Sequence, residues 1–362
     1  MNRAIQMTMF HVCNYGAALQ TYALQHFIDS ISGWKCETLN LEPHWNGKWT
    51  FEPIVDERAS QPSKRPFLVR LLHASVSVRN RLRQFLWNRN RDRPWREMFA
   101  RFRSDEIHLT RRYDSKVDLL ADIPSADLYI TGSDQTFNPR FTGGEGTWFF
   151  DFLSLSSRSC CRKISYASSF GGGELPAAYD EVFRKGLAGY YALSVREAGG
   201  VAIAARLGIS AQHCCDPTIL LSKDDWSQFA AKSKFKMPKH YILSYNLRYA
   251  VDPVPYNEEV ERQISKRLNL PIVHLYERTM EKFSVTGRIV RNANLYDFVK
   301  MFMGASFVLT SSFHGVVFAL TSGVPFLAYV NANRGRDCRA YDLLAKCGAE
   351  RHALEVPCPE LH

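Results

Sequence analysis

The sequence lacks several features that would assign it to a specialised class of protein. Its 362 residues contain no internal repeat and no low-complexity tract, and hydrophobic (46%) and charged (23%) residues occur in ordinary globular proportions. This composition excludes a disordered, collagenous or repeat-array protein. At roughly 150 residues per domain, the length predicts two domains.

Cysteine is present, but not in the spacings of a metal site or a disulfide framework. The nine cysteines include no Cys-x-x-Cys pair, and their number is odd. This pattern is typical of reduced thiols, so we expect a cytoplasmic protein with no bound metal. Polar residues and a glycine interrupt the first 19 residues, and we therefore expect no secretory signal.

One long stretch, Met301–Asn333, contains no Asp, Glu, Lys or Arg. Its length suits a membrane span, but polar residues, glycines and a proline divide it. Strands of a parallel sheet are apolar on both faces. We therefore interpret the stretch as a buried strand, a polar turn, a helix and a second strand, and not as a transmembrane helix.

Positive charge is concentrated in one part of the chain. Residues 64–112 contain thirteen arginines and one lysine against four acidic residues, so this basic stretch carries the whole net charge of +10. Apolar residues recur in it at helical intervals, which fits amphipathic helices with a solvated basic face. A surface for anionic lipid or for a pyrophosphate-linked acceptor is an alternative interpretation. Nucleic acid is not expected as a partner, because no nucleic-acid-binding motif accompanies the charge.

Apolar strand patterns alternate with helical patterns along most of the chain, which predicts parallel sheets. We expect an α/β protein with two doubly wound, Rossmann-like domains facing a cleft. The predicted domains are 1–235, with a basic helical insertion at about 64–112, and 240–362; Ala231–Lys239 resembles a linker. Ligands of such folds bind beyond the carboxyl ends of the strands, so polar residues just after strands are candidate site residues.

The first such loop contains Asn14, Tyr15 and Gly16 at the start of a predicted helix. Glycine allows close backbone approach, and the free amides of a helix start can hold an anion or sugar hydroxyls. A tight strand–helix turn is the alternative. The segment has no Gly-x-Gly-x-x-Gly pattern, so a dinucleotide site is not supported.

The second loop contains Asp134, Gln135 and Asn138, which suit binding of neighbouring sugar hydroxyls; an Asx turn that caps the next segment is the alternative. In the third loop, Arg196 directly follows a strand. Its guanidinium matches a carboxylate or phosphate, and a structural ion pair with Glu197 or Asp216 is equally compatible with the pattern.

The fourth loop, Thr310–Gly315, places hydroxyl groups and an imidazole at the start of a helix that follows a buried strand. The N-terminus of a helix attracts anions, and a histidine there can transfer a proton to a bound anionic substrate. A histidine buried for packing is the alternative. The surrounding Ser311, Ser312 and Gly315 favour a functional role for His314.

Six short segments occur in chain order at strand ends: Asn14-Tyr-Gly-Ala-Ala-Leu-Gln20, Gly132-Ser-Asp-Gln-Thr-Phe-Asn-Pro139, Ser165-Tyr-Ala-Ser-Ser-Phe-Gly171, Ser194-Val-Arg-Glu197, Asp216-Pro-Thr-Ile-Leu-Leu221 and Ser311-Ser-Phe-His-Gly315. Together they resemble the polysaccharide pyruvyl transferase family, from about residue 7 to about residue 345. The resemblance implies a GT-B-like fold, with the acceptor on the N-terminal side and the donor on the C-terminal side. It implies transfer of a pyruvyl group from phosphoenolpyruvate, as co-substrate, to a sugar of a cell-surface polysaccharide or its lipid-linked precursor, with formation of a cyclic ketal and no cofactor.

The resemblance also assigns roles. His314 corresponds to the acid and Arg196 to a donor-binding arginine. Arg334 matches a basic residue after the strand that follows the histidine helix, with Arg336 as its alternative, and Arg248 is a further candidate. Ser312 departs from the arginine that family members commonly have two residues before the histidine. The complete candidate set is His314 for catalysis, Arg196, Arg334, Arg248, Ser311, Ser312 and Gly315 for the donor, and Asn14, Tyr15, Gly16, Asp134, Gln135 and Asn138 for the acceptor.

Two other functions remain open at this point. A glycosyltransferase of the same fold would use a nucleotide sugar, with Glu258 or Glu259 as candidate ribose ligands. A non-catalytic glycan- or lipid-binding relative is favoured by Ser312. For the pyruvyl transferase, the expected partners are phosphoenolpyruvate and a glycan or lipid-linked acceptor. We expect a location at the inner face of the membrane if the basic stretch meets lipid.

Overall fold

The structure is a computed structural model that describes residues 1–41, 93–155, 161–172, 174–247, 254–276, 287–330 and 338–355. The N-terminal half contains, in order, β1 (Asn2–Met7), α1 (Tyr15–Ser30), β2 (Trp34–Thr38), α2 (Arg93–Glu106), α3 (Lys116–Ala121), β3 (Leu128–Thr131), α4 (Pro139–Thr142), β4 (Arg162–Ser165), α5 (Asp180–Leu187), β5 (Ser194–Val195), α6 (Ala198–Arg206), β6 (Gln212–His213) and α7 (Lys223–Ala231). The C-terminal half contains β7 (Ile242–Tyr245), α8 (Val254–Leu268), β8 (Ile272–Tyr276), β9 (Arg288–Arg291), α9 (Leu295–Met303), β10 (Phe307–Thr310), α10 (Phe313–Ser322), β11 (Phe326–Val330), α11 (Cys338–Lys346) and β12 (Ala353–Glu355).

The first sheet is parallel and has the order β2-β1-β3-β4. Isolated parallel bridges join residues 164 and 192 and residues 168 and 195, so the short β5–β6 pair continues the sheet beyond β4. The chain runs outward from β1 in one direction and returns to β3 on the other side. This reversal between β1 and β3 opens a crevice at the carboxyl ends of the two strands.

The second sheet is also parallel, with the order β12-β11-β10-β7-β8-β9. Read from β9, this is the doubly wound order 3-2-1-4-5-6, which reverses between β7 and β10. The uncharged stretch supplies β10, α10 and β11, as predicted, and both strands are largely buried. No helix within the described part of the chain is long and apolar enough to cross a membrane.

Helix α1 connects the two sheets. Its side chains Leu24 and Ile28 pack with strands of the first sheet, whereas Tyr15 and Ala18 in its first turn join the core of the second sheet. The N-terminal end of α1 therefore lies at the contact between the two halves.

Two further N-terminal helices pack on the second half. Trp95, Phe99 and Phe102 of α2, spaced three and four residues apart, are buried in the core of the second sheet. In α7, the ring of Trp226 lies 5.0 Å from that of Phe318. The boundary predicted at 235–240 falls between β6 and β7, where the sheets divide, but α2 and α7 lie across that division.

The amphipathic helix predicted from the basic stretch is confirmed for α2. The remainder of that stretch, residues 64–92, lies outside the described residues. The strand pairs β5–β6 and β11–β12 include two strands, Gln212–His213 and Ala353–Glu355, that the sequence patterns did not predict. They are two and three residues long, too short to display a periodicity.

Candidate active site

His314 is the second residue of α10, immediately beyond the carboxyl end of β10. Ser312 caps this helix: its backbone is extended, and its hydroxyl accepts a hydrogen bond from the Gly315 amide at 3.4 Å. The Thr310 hydroxyl accepts the amide hydrogen of Ser312 at 3.1 Å and donates to the carbonyl of Tyr245 at 2.6 Å. These bonds fix the turn from which His314 projects toward the first half.

Gly16 lies against the ring of His314. A Cβ atom added at Gly16 would be 1.9 Å from Nδ1, 2.2 Å from Cε1 and 2.5 Å from Cγ of that ring. Any side chain at position 16 would therefore displace the imidazole. The two chain reversals meet at this contact, because α1 follows β1 and α10 follows β10.

Asp216 lies on the other side of His314 and is fully buried. Its Oδ2 accepts hydrogen bonds from Nη1 of Arg196 at 2.7 Å and from the Ser133 hydroxyl at 3.1 Å. The same oxygen is 3.6 Å from Nε2 of His314. Oδ1 accepts from the amide and the hydroxyl of Thr218, at 3.0 and 2.7 Å.

The ionisation of Asp216 follows from these contacts. Burial by itself would raise the pKa of the carboxyl, but the contacts with His314 and Arg196 outweigh burial and hold the pKa well below its usual range. Asp216 is therefore a carboxylate at physiological pH.

Arg196 belongs to this buried network. Its side chain is 1% exposed, its Nη2 lies 3.7 Å from Oδ1 of Asp134, and its guanidinium covers the ring of Phe313 at 4.8 Å. Burial by itself would lower the pKa of Arg196, but the carboxylates of Asp216 and Asp134 outweigh burial and raise it. The ion pair with Asp216 that the sequence left open is thus confirmed. Contact of Arg196 with a donor stays a prediction.

The second polar loop lies next to this network. Asp134 adopts a left-handed backbone conformation (φ 74°), which is uncommon for a residue with a side chain. The amide of Asn138 donates to Oε1 of Gln135 at 2.8 Å, and a Cβ at Gly171 would be 2.2 Å from both side chains. Asn138 also caps α4, as its Oδ1 accepts from the amide of Arg140 at 3.0 Å.

Several predicted site residues have structural hydrogen bonds. Asn14 caps α1 through the amide of Ala17 at 3.1 Å. Tyr15 is fully buried: its ring stacks on Phe298 at 4.4 Å, and its hydroxyl donates to the carbonyl of Ala293 at 2.5 Å. Tyr15 therefore connects the two halves and lies in a packed core, not on a surface that an acceptor can reach.

The other donor candidates divide into two groups. Ser311 accepts a hydrogen bond from the amide of Leu247 at 2.8 Å, which ties the ends of β10 and β7 together. Gly315 is required for packing, because a Cβ there would be 2.1 Å from the Thr310 hydroxyl. Arg248 and Arg334, together with the alternative Arg336, lie outside the described residues.

The sequence patterns did not assign a role to Asp216 in the site. The Asp-Pro-Thr segment could have identified Asp216, because this residue caps a short helical turn at Pro217–Ile219 just after a strand. That strand, β6, has only two residues, so the sequence did not show that Asp216 lies at a strand end. Among the described residues, no group of three or more His, Cys, Asp or Glu side chains could hold a metal ion.

Comparison with solved structures supports the fold. Listeria monocytogenes putative UDP-N-acetylglucosamine 2-epimerase is 9% identical, with a TM-score of 0.51 over 94% of this chain and 82% of that one. Methanocaldococcus jannaschii UDP-GlcNAc 2-epimerase is 10% identical, with a TM-score of 0.51 over 98% of this chain and 89% of that one. The predicted GT-B-like fold, with two parallel α/β units, is confirmed.

Comparison by sequence gives the family. No significant match was found among the curated proteins. The sequence model of the polysaccharide pyruvyl transferase family matches residues 14–333, a range that includes all six strand-end segments. The chain belongs to the polysaccharide pyruvyl transferase family.

Proposed function

We propose that this protein transfers a pyruvyl group from phosphoenolpyruvate to two hydroxyls of one sugar in a cell-surface polysaccharide or its lipid-linked precursor, forming a cyclic ketal. The observation that supports the proposal most is the position of His314. Its ring lies where the chain reversals of the two sheets meet, between the backbone of Gly16 and the carboxylate of Asp216. A titratable group held in this way can deliver a proton to a molecule bound between the two halves.

The proposed reaction starts with protonation of the methylene carbon of phosphoenolpyruvate, which becomes a methyl group and leaves positive charge on C2. One sugar hydroxyl forms a C–O bond to C2 and loses its proton. The C–O bond to phosphate then breaks, and a second hydroxyl closes the ring while its proton leaves with inorganic phosphate. His314 gives the first proton and takes back the proton of the attacking hydroxyl. No oxidant, reductant or cofactor is needed for this balance.

The donor has two anionic groups that the protein must stabilise. The first turn of α10 offers the positive end of a helix dipole next to His314. Arg334 and Arg248 remain the predicted cationic ligands, since an arginine binds a carboxylate or phosphate through two parallel hydrogen bonds. For the acceptor we propose Asp134 and Gln135, which lie on the N-terminal side of the same junction.

A nucleotide-sugar glycosyltransferase is the second candidate, because the solved structures with a TM-score of 0.51 include a UDP-GlcNAc 2-epimerase. Among its candidate ribose ligands, Glu259 is engaged on the surface by Arg262 and Gln263, with Oε1 accepting from both side chains. Glu259 thus has side-chain partners of its own and gives no support to a nucleotide-sugar site.

The experiment that tests the function is a donor and acceptor screen. Thermal-shift measurements with phosphoenolpyruvate and with UDP-sugars identify the donor, and phosphate release with nitrophenyl glycosides and lipid-linked sugars identifies the acceptor. We expect stabilisation by phosphoenolpyruvate and acceptor-dependent phosphate release. Stabilisation by a UDP-sugar alone would favour the glycosyltransferase, and acceptor binding without phosphate release would indicate a non-catalytic relative.

We also propose a cytoplasmic enzyme that works at the inner face of the membrane. In α2, the aromatic side chains are buried, and Arg93, Arg96 and Arg101 are on the exposed side. A lipid-linked acceptor would place the enzyme near anionic headgroups, which attract such a basic surface.

A further inference from the structure

The two ring nitrogens of His314 have different surroundings. The ring is 13% exposed, but Nε2 is sealed from solvent and has no hydrogen-bond partner among the described residues. Its nearest acidic atom is Oδ2 of Asp216, at 3.6 Å. Among the described residues, Nδ1 does not belong to the buried side-chain atoms without a hydrogen-bond partner. The buried Nε2 is therefore out of a substrate's reach, which leaves Nδ1 as the ring nitrogen for proton transfer.

The Cβ position of Gly16 faces the plane of the His314 ring and not its edge at Nδ1. The added Cβ would be at similar distances from Nδ1, Cε1 and Cγ, 1.9, 2.2 and 2.5 Å. A point in the ring plane in front of Nδ1 would be much farther from the two carbons than from the nitrogen. The added Cβ would therefore lie above the ring and not in the in-plane direction in which Nδ1 exchanges a proton.

Asp216 is held rigidly on the side of Nε2. Arg196 and the Ser133 hydroxyl bind its Oδ2, and Thr218 binds its Oδ1. Arg196 itself stacks on Phe313, the residue before His314. The carboxylate is thus fixed relative to α10, and it faces a nitrogen that has no hydrogen-bond partner in the described part of the chain. Hydrogen bonds of catalytic groups are often long in a protein without substrate and shorten when the substrate binds.

We propose that Asp216 is the positioning residue of the active site: it accepts the hydrogen of Nε2 and thereby makes Nδ1 the proton-transfer atom of His314. Arg196 acts through Asp216 as its anchor. This inference rests on the proposed function. In the proton balance, Nδ1–H passes its proton to the methylene carbon, the ring stays protonated on Nε2, and the proton of the attacking hydroxyl returns to Nδ1. A carboxylate that selects one histidine tautomer has the same role in serine hydrolases.

The first test measures the tautomer of His314 directly. Nitrogen-15 NMR of the histidine side chains, with the His314 signals assigned through their loss in His314→Gln, reports which nitrogen carries the hydrogen. We expect hydrogen on Nε2 in the neutral ring of the wild-type protein. Hydrogen on Nδ1 in the neutral ring would overturn the proposal. This measurement needs no substrate, so its result does not depend on whether the protein transfers a pyruvyl group. Phosphate release tests that transfer separately.

The second test measures turnover in Asp216→Asn, which removes the charge and keeps the shape. We expect kcat to fall by about 10²- to 10⁴-fold, with the KM for phosphoenolpyruvate changed only a few-fold. We also expect the neutral ring of His314 to lose its preference for hydrogen on Nε2. Asp180→Asn is the matched control. It also removes an aspartate–arginine ion pair, in which Oδ2 of Asp180 is 2.9 Å from Nη1 of Arg206, and this pair lies outside the site. A kcat within a few-fold of wild type would overturn the proposal. If Asp216→Asn does not fold, the tautomer of His314 measured in the wild-type protein still tests the proposal.

Discussion

Replacing Gly16 with alanine tests the packing of His314 against α1. The new methyl carbon would lie 1.9 Å from Nδ1, whereas ordinary contacts begin at 3.4 Å, so the ring must move by about 1.5 Å. Displacement of a catalytic group by about 1 Å can cost 10²-fold in rate. We therefore expect kcat to fall by about 10²-fold, which corresponds to about 2.7 kcal/mol in the activation free energy.

The fold should tolerate this substitution. Position 16 is inside α1, where alanine favours the helix over glycine by up to about 1 kcal/mol. We expect a thermal unfolding midpoint close to that of the wild type, because the displaced group is a partly exposed imidazole at the cleft and not a core side chain. Loss of turnover without loss of stability would separate a clash in the site from general damage.

A double-mutant cycle shows whether the loss acts through His314. Turnover is measured as phosphate release for Gly16→Ala, for His314→Ala and for the protein with both changes. We expect the double variant to be no slower than His314→Ala, since the methyl group has no ring left to displace. Wild-type turnover in Gly16→Ala would refute the close contact between Gly16 and His314. If the double variant lost the product of the two single-variant factors, the effect of Gly16→Ala would not act through His314.

The remaining predictions concern the donor, stability and the basic stretch. In His314→Gln, we expect kcat, measured by phosphate release, to fall by about 10²- to 10⁴-fold, and the affinity for the donor, measured by titration, to be retained. Turnover within a few-fold of wild type would exclude His314 as the acid. Arg334→Ala should weaken phosphoenolpyruvate binding by about 10- to 100-fold and leave acceptor binding alone; unchanged donor binding would reassign this arginine to structure. Burial raises the pKa of Glu261 despite the neighbouring His274, so its stabilising contribution is complete below the unfolded pKa of about 4.3 and is lost as pH rises through the folded pKa. The thermal midpoint of wild type relative to Glu261→Gln should accordingly fall as the pH rises from 4, below the unfolded pKa, to 8, and a constant difference would contradict this sign. If the basic stretch meets lipid, the protein should sediment with acidic vesicles, not with neutral ones, and about 1 M salt should release it; charge reversal of four arginines between residues 79 and 93 should weaken this binding without changing turnover of a soluble acceptor.

The alternation of strands and helices could be predicted from sequence because most elements of the second sheet have strong local patterns. The uncharged stretch was predicted to form a strand, a polar turn, a helix and a second strand, and the structure has the same order. The polar turn was correctly placed between the first of these strands, Phe307–Thr310, and the helix. Short elements such as β6 are determined by pairing with a neighbour distant in sequence, which no local pattern reveals.

The geometry of the site depends on contacts between distant residues, and these were not predictable. His314 was identified from its position at a strand end, but its contact with Gly16 joins residues from opposite ends of the chain. Tyr15 shares a motif with Gly16 and was assigned to the acceptor, yet helix geometry turns its ring into the core between the halves. The ion pair of Arg196 with Asp216 was an open alternative, since a sequence cannot show which charge is buried beside another.

The most direct test of pyruvyl transfer is the mass of the product. The protein is incubated with phosphoenolpyruvate and a glycoside that supports phosphate release, and the glycoside is then analysed by mass spectrometry. Ketal formation predicts a gain equal to one pyruvate less one water, in amounts equal to the phosphate released, and no gain with His314→Gln. An unmodified glycoside beside released phosphate, or a gain equal to a whole sugar from a UDP-sugar, would contradict it.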